Sequence, residues 1–192
     1  PADKLLIRVD SQTIAYGQQT VAVDGVASPG SVGAYYCLDA AVACNGANWV
    51  SLNLTRLSPN RWKAADSTGS FVVFDTSISG ASYSTGGYLN VGNYQSATSE
   101  ISPLSLPNGN FTGRFSNAGV LTVDALPITA SYTAADKRVD GTTSAQVVST
   151  TSGFLAGDQV ADQWASASFA SASVGTGQMV SVNGVQLQGA DR

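Results

Sequence analysis

With histidine absent, carboxylates are the side chains in this sequence to weigh first for acid and base chemistry. There are 13 acidic residues among 192, only one of them a glutamate, Glu100, and there is no histidine. Without histidine the usual general base of serine and cysteine hydrolases and the commonest transition-metal ligand are both missing. Glycosidase chemistry would need two carboxyl groups held roughly 5 to 9 Å apart across a cleft. Glu100 and the aspartates are scattered, mostly beside glycine or serine in turn-like contexts. Asp66, Asp75, Asp136, Asp140 and Asp158 are the calcium candidates, but none stands in the dense alternation of a calcium loop. Asp140 before Gly141 and Asp158 after Gly157 read instead as turn residues whose carboxylates bond nearby backbone amides. The expectation is no catalytic residue, no cofactor and no metal, with a glycoside hydrolase as a remote alternative.

Two other residue groups stand out. Cys37 and Cys44 are separated by six residues, a spacing that matches neither a Cys-x-x-Cys redox site nor a zinc site, and no other ligands support them. They are expected to close a small disulfide loop in an oxidising compartment, the alternative being two buried thiols. Aromatic residues concentrate early in the chain, and Tyr35, Tyr36, Trp49 and Trp62 form the candidate ligand surface. Exposed aromatic platforms grip sugars and proteins; core packing is the competing explanation. Asn53-Leu54-Thr55 and Asn110-Phe111-Thr112 fit the glycosylation sequon, a short pattern frequent by chance.

Charge narrows the partners. Nine basic residues against 13 acidic ones leave a formal charge of −4, with no basic run, so neither phosphate backbones nor anionic membranes have a footprint. Nucleic acid and membrane insertion are not expected. The opening Pro1-Ala2-Asp3-Lys4 lacks the basic and apolar regions of a signal peptide, so the chain reads as an excised or mature piece.

The elements that must position these residues are strands. Ser, Thr, Ala, Val and Gly dominate and only 11% of residues are charged, a composition that suits strands and tight turns. Leu5, Ile7 and Val9 alternate with mostly polar residues, the period of a half-buried strand. Further strands are expected at Thr20 to Val23, Trp49 to Thr55, Arg61 to Ala64, Phe71 to Asp75, Gly119 to Asp124 and Pro127 to Thr133, broken by Pro, Gly and Asn turn signals. Asp39 to Val42 could make one helical turn, and helix is otherwise minor. Late in the chain, Val180 and Val182 form one strand, and Val185 and Leu187 the next after an Asn183-Gly184 hairpin signal. Pro127 cannot donate to a ladder and makes a natural joint, so the modules are read as 1–126 and 127–192. The fold class is all-β: two tandem antiparallel modules, an immunoglobulin-like sandwich favoured and a β-grasp-like sheet the alternative.

Within the second module Asp140-Gly141-Thr142-Thr143, Leu155-Ala156-Gly157-Asp158, Val174-Gly175-Thr176-Gly177, Val182-Asn183-Gly184 and Leu187-Gln188-Gly189-Ala190-Asp191 follow in order. Together they resemble the YDG module, which occurs in tandem in bacterial surface and filamentous-haemagglutinin-like adhesins. The resemblance departs at the tyrosine of the name, where Val139 stands. Ile14-Ala15-Tyr16-Gly17 and Gly92-Asn93-Tyr94 resemble the Tyr-Gly type of the related MBG module, with residues of about 30–75 as an elaboration. The resemblance implies two-partner secretion, a secreted or cell-surface location, roles in adhesion, aggregation, biofilm or spacing, and no catalytic residues or cofactor. It also implies that the second module ends short of its last strand, leaving an open edge.

Two functional expectations follow. One is a stalk or display segment whose partners are the neighbouring modules. The other is a receptor-binding module in which the elaborated first domain touches a glycan or a host or bacterial surface protein. A stalk buries its tryptophans and tyrosines, whereas a binder exposes several in one patch.

Overall fold

The computed structural model describes residues 3–18, 32–37, 48–100 and 111–192. The expected strand at Thr20 to Val23, the helical turn at Asp39 to Val42, and Cys44 lie outside the described residues. All regular structure among the described residues is β, in 16 strands. The β-grasp alternative, which needs a helix laid across a sheet, finds no helix among them. The chain divides into two compact units: one of Pro1–Ser82 with Tyr88–Ala125, the other of Tyr83–Gly87 with Leu126–Arg192.

The first unit has two sheets. One orders β4 (Trp49–Ser51), β3 (Val32–Cys37), β1 (Asp3–Val9) and β9 (Phe111–Ala118); the other orders β2 (Gln12–Ala15), β10 (Val120–Asp124), β8 (Gly92–Glu100), β7 (Phe71–Ile78), β6 (Arg61–Ala65) and β5 (Asn53–Ser58). Leu5, Ile7 and Ala34 from the first sheet and Ala64, Val72 and Phe74 from the second share one buried cluster with Leu52, so the sheets pack face to face. Phe71-Val72-Val73-Phe74 is a run of β-branched and aromatic residues, and the resulting central strand buries Val72, Val73 and Phe74 together. A second cluster joins Ile14, Leu89, Tyr94, Leu121 and Val123.

Two segments of the chain pass from one sheet to the other side by side. β1 runs parallel to β9 in one sheet, and its continuation β2 runs parallel to β10 in the other. Both chains cross between sheets at the same level, where the Gly119 amide donates to Val9 O at 2.7 Å and the Val120 amide to Ser11 Oγ at 3.0 Å. A Cβ on residue 119 would lie 2.4 Å from the Ser11 nitrogen, so only glycine lets the corners meet. The expected strand at Trp49 to Thr55 divides at Leu52, which turns into the core. Residues read as an elaboration supply β5, β6 and β7, and with them Ala64, Val72 and Phe74 of the main core.

The second unit is built differently. β11 (Tyr132–Ala134) pairs with β12 (Val147–Ser149), and a long hairpin pairs β13 (Ala161–Gln163) and β14 (Ser166–Phe169) with β16 (Gln186–Gln188) and β15 (Val180–Asn183). Asn183-Gly184 is therefore not a hairpin turn. Gln163 faces Gln186 and Ser166 faces Asn183, so the register runs unbroken past a kink at Gly184, whose φ is +67° and whose neighbour across the ladder is Ala165. Only residues 132–134 of the expected Pro127 to Thr133 strand and its neighbour join a ladder; upstream a single bridge ties Thr129 to Ser152. From Leu126 to Arg192 no residue is fully buried, and Val139, Val148, Val174 and Met179 are more exposed than not. Polar contacts must do in this unit much of what apolar burial does in the first.

Candidate functional site

Strand alternation decides where the candidate aromatics lie. On β3, Ala34 enters the core and Tyr36 packs against it, so Tyr35 and Cys37 occupy the opposite face. Trp49 stands directly across from Cys37, and Val50 across from Tyr36. Tyr35 and Trp49 thus share the outer face of the four-stranded sheet with Leu6. Trp62, paired with buried Phe74, lies on the core side of the other sheet, with the Arg56 guanidinium 5.5 Å from its ring centroid. All four aromatics are half-buried; Tyr35 and Trp49 lie on an outer face, Tyr36 and Trp62 on the core side. Cys37 is completely buried, while Cys44 lies outside the described residues.

The acids of the second unit converge on turns. Asp140 Oδ1 accepts the Thr142 amide at 2.9 Å and the Thr142 hydroxyl at 2.9 Å, and Lys137 Nζ lies 2.9 Å from the same oxygen. That ammonium, followed by the Thr142 amide and hydroxyl, holds the Asp140 carboxyl at about 2, below its usual 3.8. The depressed value fixes the sign of a pH effect. The turn gains stability from the ionised form above about pH 4, and this is lost as pH falls from about 4 towards 2. In an Asp140→Asn variant that part of the acid dependence should vanish, which an acid titration followed by the Thr142 amide resonance will read.

Asp158 also reaches beyond its own turn. Its Oδ1 accepts the Ser84 hydroxyl at 2.6 Å and the Gly86 amide at 3.1 Å, from a segment more than 70 positions away. Asp191 completes the arrangement. Its Oδ1 accepts the Thr85 amide at 3.0 Å, and its Oδ2 accepts the Thr85 hydroxyl and, at 2.8 Å, the Gln159 amide. These contacts, the Thr85 hydroxyl foremost, lower the Asp191 carboxyl below the ordinary aspartate range. The Thr85 hydroxyl also reaches Gly157 O at 3.0 Å. Residue 157 has a φ of +92° and a Cβ there would sit 3.0 Å from Gly86 Cα, so glycine suits this close approach. Sequence reading placed Asp191 inside a motif without a role and passed over Ser84 and Thr85; nothing local marks a partner so distant.

A further node was also missed. Asp162 Oδ2 accepts three hydroxyls, from Ser149 at 2.7 Å, Tyr132 at 2.8 Å and Thr151 at 2.9 Å. The Ser149 hydroxyl leads in lowering the Asp162 carboxyl, against an opposing pull from burial. Partial burial first, then the Asp162 contact, raises the Tyr132 phenol. The Tyr132 ring meets Trp164 edge to face, with centroids 5.2 Å apart. One carboxylate thereby ties β11, β12 and β13 together.

An open groove of about 420 Å³ lies between residues 134–142 and 169–180, with Val139, Val174 and Gln178 on its walls. Among the described residues no three acids, cysteines or histidines gather to hold a metal ion.

The family model of the YDG domain matches residues 121–192. No curated protein and no solved structure matches the chain. The YDG match takes in most of β10, which pairs in the first unit, together with the part of the second unit from Leu126 onward. All five motif segments lie within it. Asp140, Asp158 and Asp191, the three acids of those segments, each bond a Thr or Ser hydroxyl and a backbone amide. Val139, the residue before the Asp140-Gly141 pair, is 64% exposed, so this position of the matched segment lies on the surface.

Proposed function

We propose that the chain is a stalk or display segment of a large secreted bacterial surface adhesin, in which an MBG-like module precedes the YDG domain and neighbouring modules are the principal partners. The observation that carries this reading is the occupation of the motif acids: the carboxylates most characteristic of the second unit hold its own hydroxyls and amides. Carboxylates so occupied are suited to keeping turns rigid and ill placed to attack or protonate a substrate. The division of the aromatics between an outer face and the core side supports the same reading. Export by two-partner secretion and a Cys37–Cys44 bridge belong to the proposal, and the latter requires that the unfolded chain titrate no free thiol.

The second reading, a receptor-binding module, is favoured by one feature, the common outer face of Tyr35 and Trp49. An array of glycans and matrix proteins separates the two. The display reading expects no saturable binding by the intact chain. Saturable binding that is lost in a folded Trp49→Ala variant would make the outer face a receptor site and displace the display reading. Trp62→Ala serves as the control, since it removes core packing and should affect stability rather than any ligand.

A further inference from the structure

Ser84-Thr85-Gly86 lies in the connection between β7 and β8, yet it is one with the second unit, seated on Asp158, Asp191 and the turn at Gly157. The seat is specific. Two carboxylates accept two hydroxyls and two backbone amides, Gly157 O accepts the threonine hydroxyl as well, and a Cβ on residue 157 would lie 3.0 Å from Gly86 Cα. The Gly87 amide donates to Ser84 O at 3.0 Å, so the seated segment is a closed turn. We propose that this is a recognition socket for a Ser-Thr-Gly turn, filled here in cis, and that a second copy of the chain fills it with its own Ser84–Gly86 when the resident turn is withdrawn.

The chain carries its own comparison. Ser67-Thr68-Gly69 is the same triplet, but Asp66 precedes it, and Asp66 Oδ1 accepts the Thr68 amide and the Thr68 hydroxyl, both at 2.8 Å. That turn caps itself. Ser84-Thr85-Gly86 has Tyr83 at the equivalent position, so its hydroxyls and amides take their acceptors from elsewhere, and Asp158 and Asp191 supply them. The ligand class is therefore a Ser-Thr-Gly turn without an aspartate of its own. Each copy offers one such turn and one socket, the condition for reciprocal exchange between two identical chains. The inference stands independently of the adhesin reading.

The probe is a labelled peptide with the sequence of residues 82–88, titrated against the full-length chain. Ser84→Ala with Thr85→Val empties the socket, and this variant should bind the peptide at least about tenfold tighter than wild type, whose socket is occupied. Adding Asp191→Asn should remove the gain, and a peptide of residues 66–72 should not bind. Thr85→Ala alone is the milder form of the test should the double variant not fold. To identify the occupant, the emptied chain is mixed with an Asp158→Asn, Asp191→Asn chain, and sedimentation should show a heterodimer in the mixture and monomers in each component. Failure of the peptide to bind the emptied, folded chain, or binding unaffected by Asp191→Asn, overturns the socket. Peptide binding without a heterodimer overturns the second copy as its occupant.

Discussion

Gly189→Ala is expected to unfold the second unit. Residue 189 has a φ of +114°, and a methyl group there would lie 1.9 Å from Gln159 O and 2.8 Å from the Gln159 carbonyl carbon. The obstacle is backbone, so no side-chain rotation relieves it. Backbone strain and overpacking together cost about 2 to 5 kcal/mol. The unit has little with which to offset this: from Leu126 onward no residue is fully buried. Residues 159 and 189 also lie beside the β13 and β16 ladder, and the Asp191 amide donates to Gln159 O at 3.3 Å, so displacement would carry Asp191 away from Thr85. Amide exchange should show loss of protection throughout β13 to β16, with Leu5, Val72 and Phe74 of the first unit still protected. Retained protection at Gln159 and Asp191 would show that the turn tolerates the methyl group.

Phe74→Ala should be the most damaging single truncation in the first unit. Among the described residues Phe74 is the largest fully buried side chain, and it lies where both sheets contribute to one cluster. Emptying such a site costs about 3 to 5 kcal/mol, the lost transfer free energy plus the cavity. For a unit of this size the melting temperature should fall by on the order of 10 to 20 °C. A companion Ile78→Ala variant, half-buried and packed against the other cluster, should lose much less. Calorimetry on the two variants checks the order; equal losses would mean that the shared cluster is not the centre of the sandwich.

The strands whose apolar residues alternate or run together were legible in the sequence: β1, β6, β7 and β10 fall where Leu5, Trp62, Phe71 and Leu121 signal them. β8 carries Gly92, Asn93, Gln95 and Ser96 in a central position, and β3 begins with Val32-Gly33-Ala34; neither has the pattern of an isolated strand. Their neighbours impose the conformation, since Tyr94 and Ala34 each complete a core set mainly by other strands. The Asn183-Gly184 pair misled because a positive φ at glycine serves a kink in a continuing strand as well as a two-residue turn. The motif glycines and aspartates were visible as turn residues, and Asp140 is one in the expected sense. Asp158 and Asp191 carry no local sign that their hydroxyl partners lie at Ser84 and Thr85, because that pairing is a property of the folded chain alone.

Capture of Ser84–Gly86 by Asp158 and Asp191 holds the second unit together, and site-resolved amide exchange on the intact chain reads it. The Thr85, Gly86 and Gln159 amides all donate to these two carboxylates. They should exchange slowly and together, at the rate of the β13 and β16 ladder, and should all accelerate in an Asp158→Asn, Asp191→Asn variant. Exchange of Thr85 and Gly86 at the rate of an open loop in the intact chain, or no response to the paired substitution, would contradict that capture.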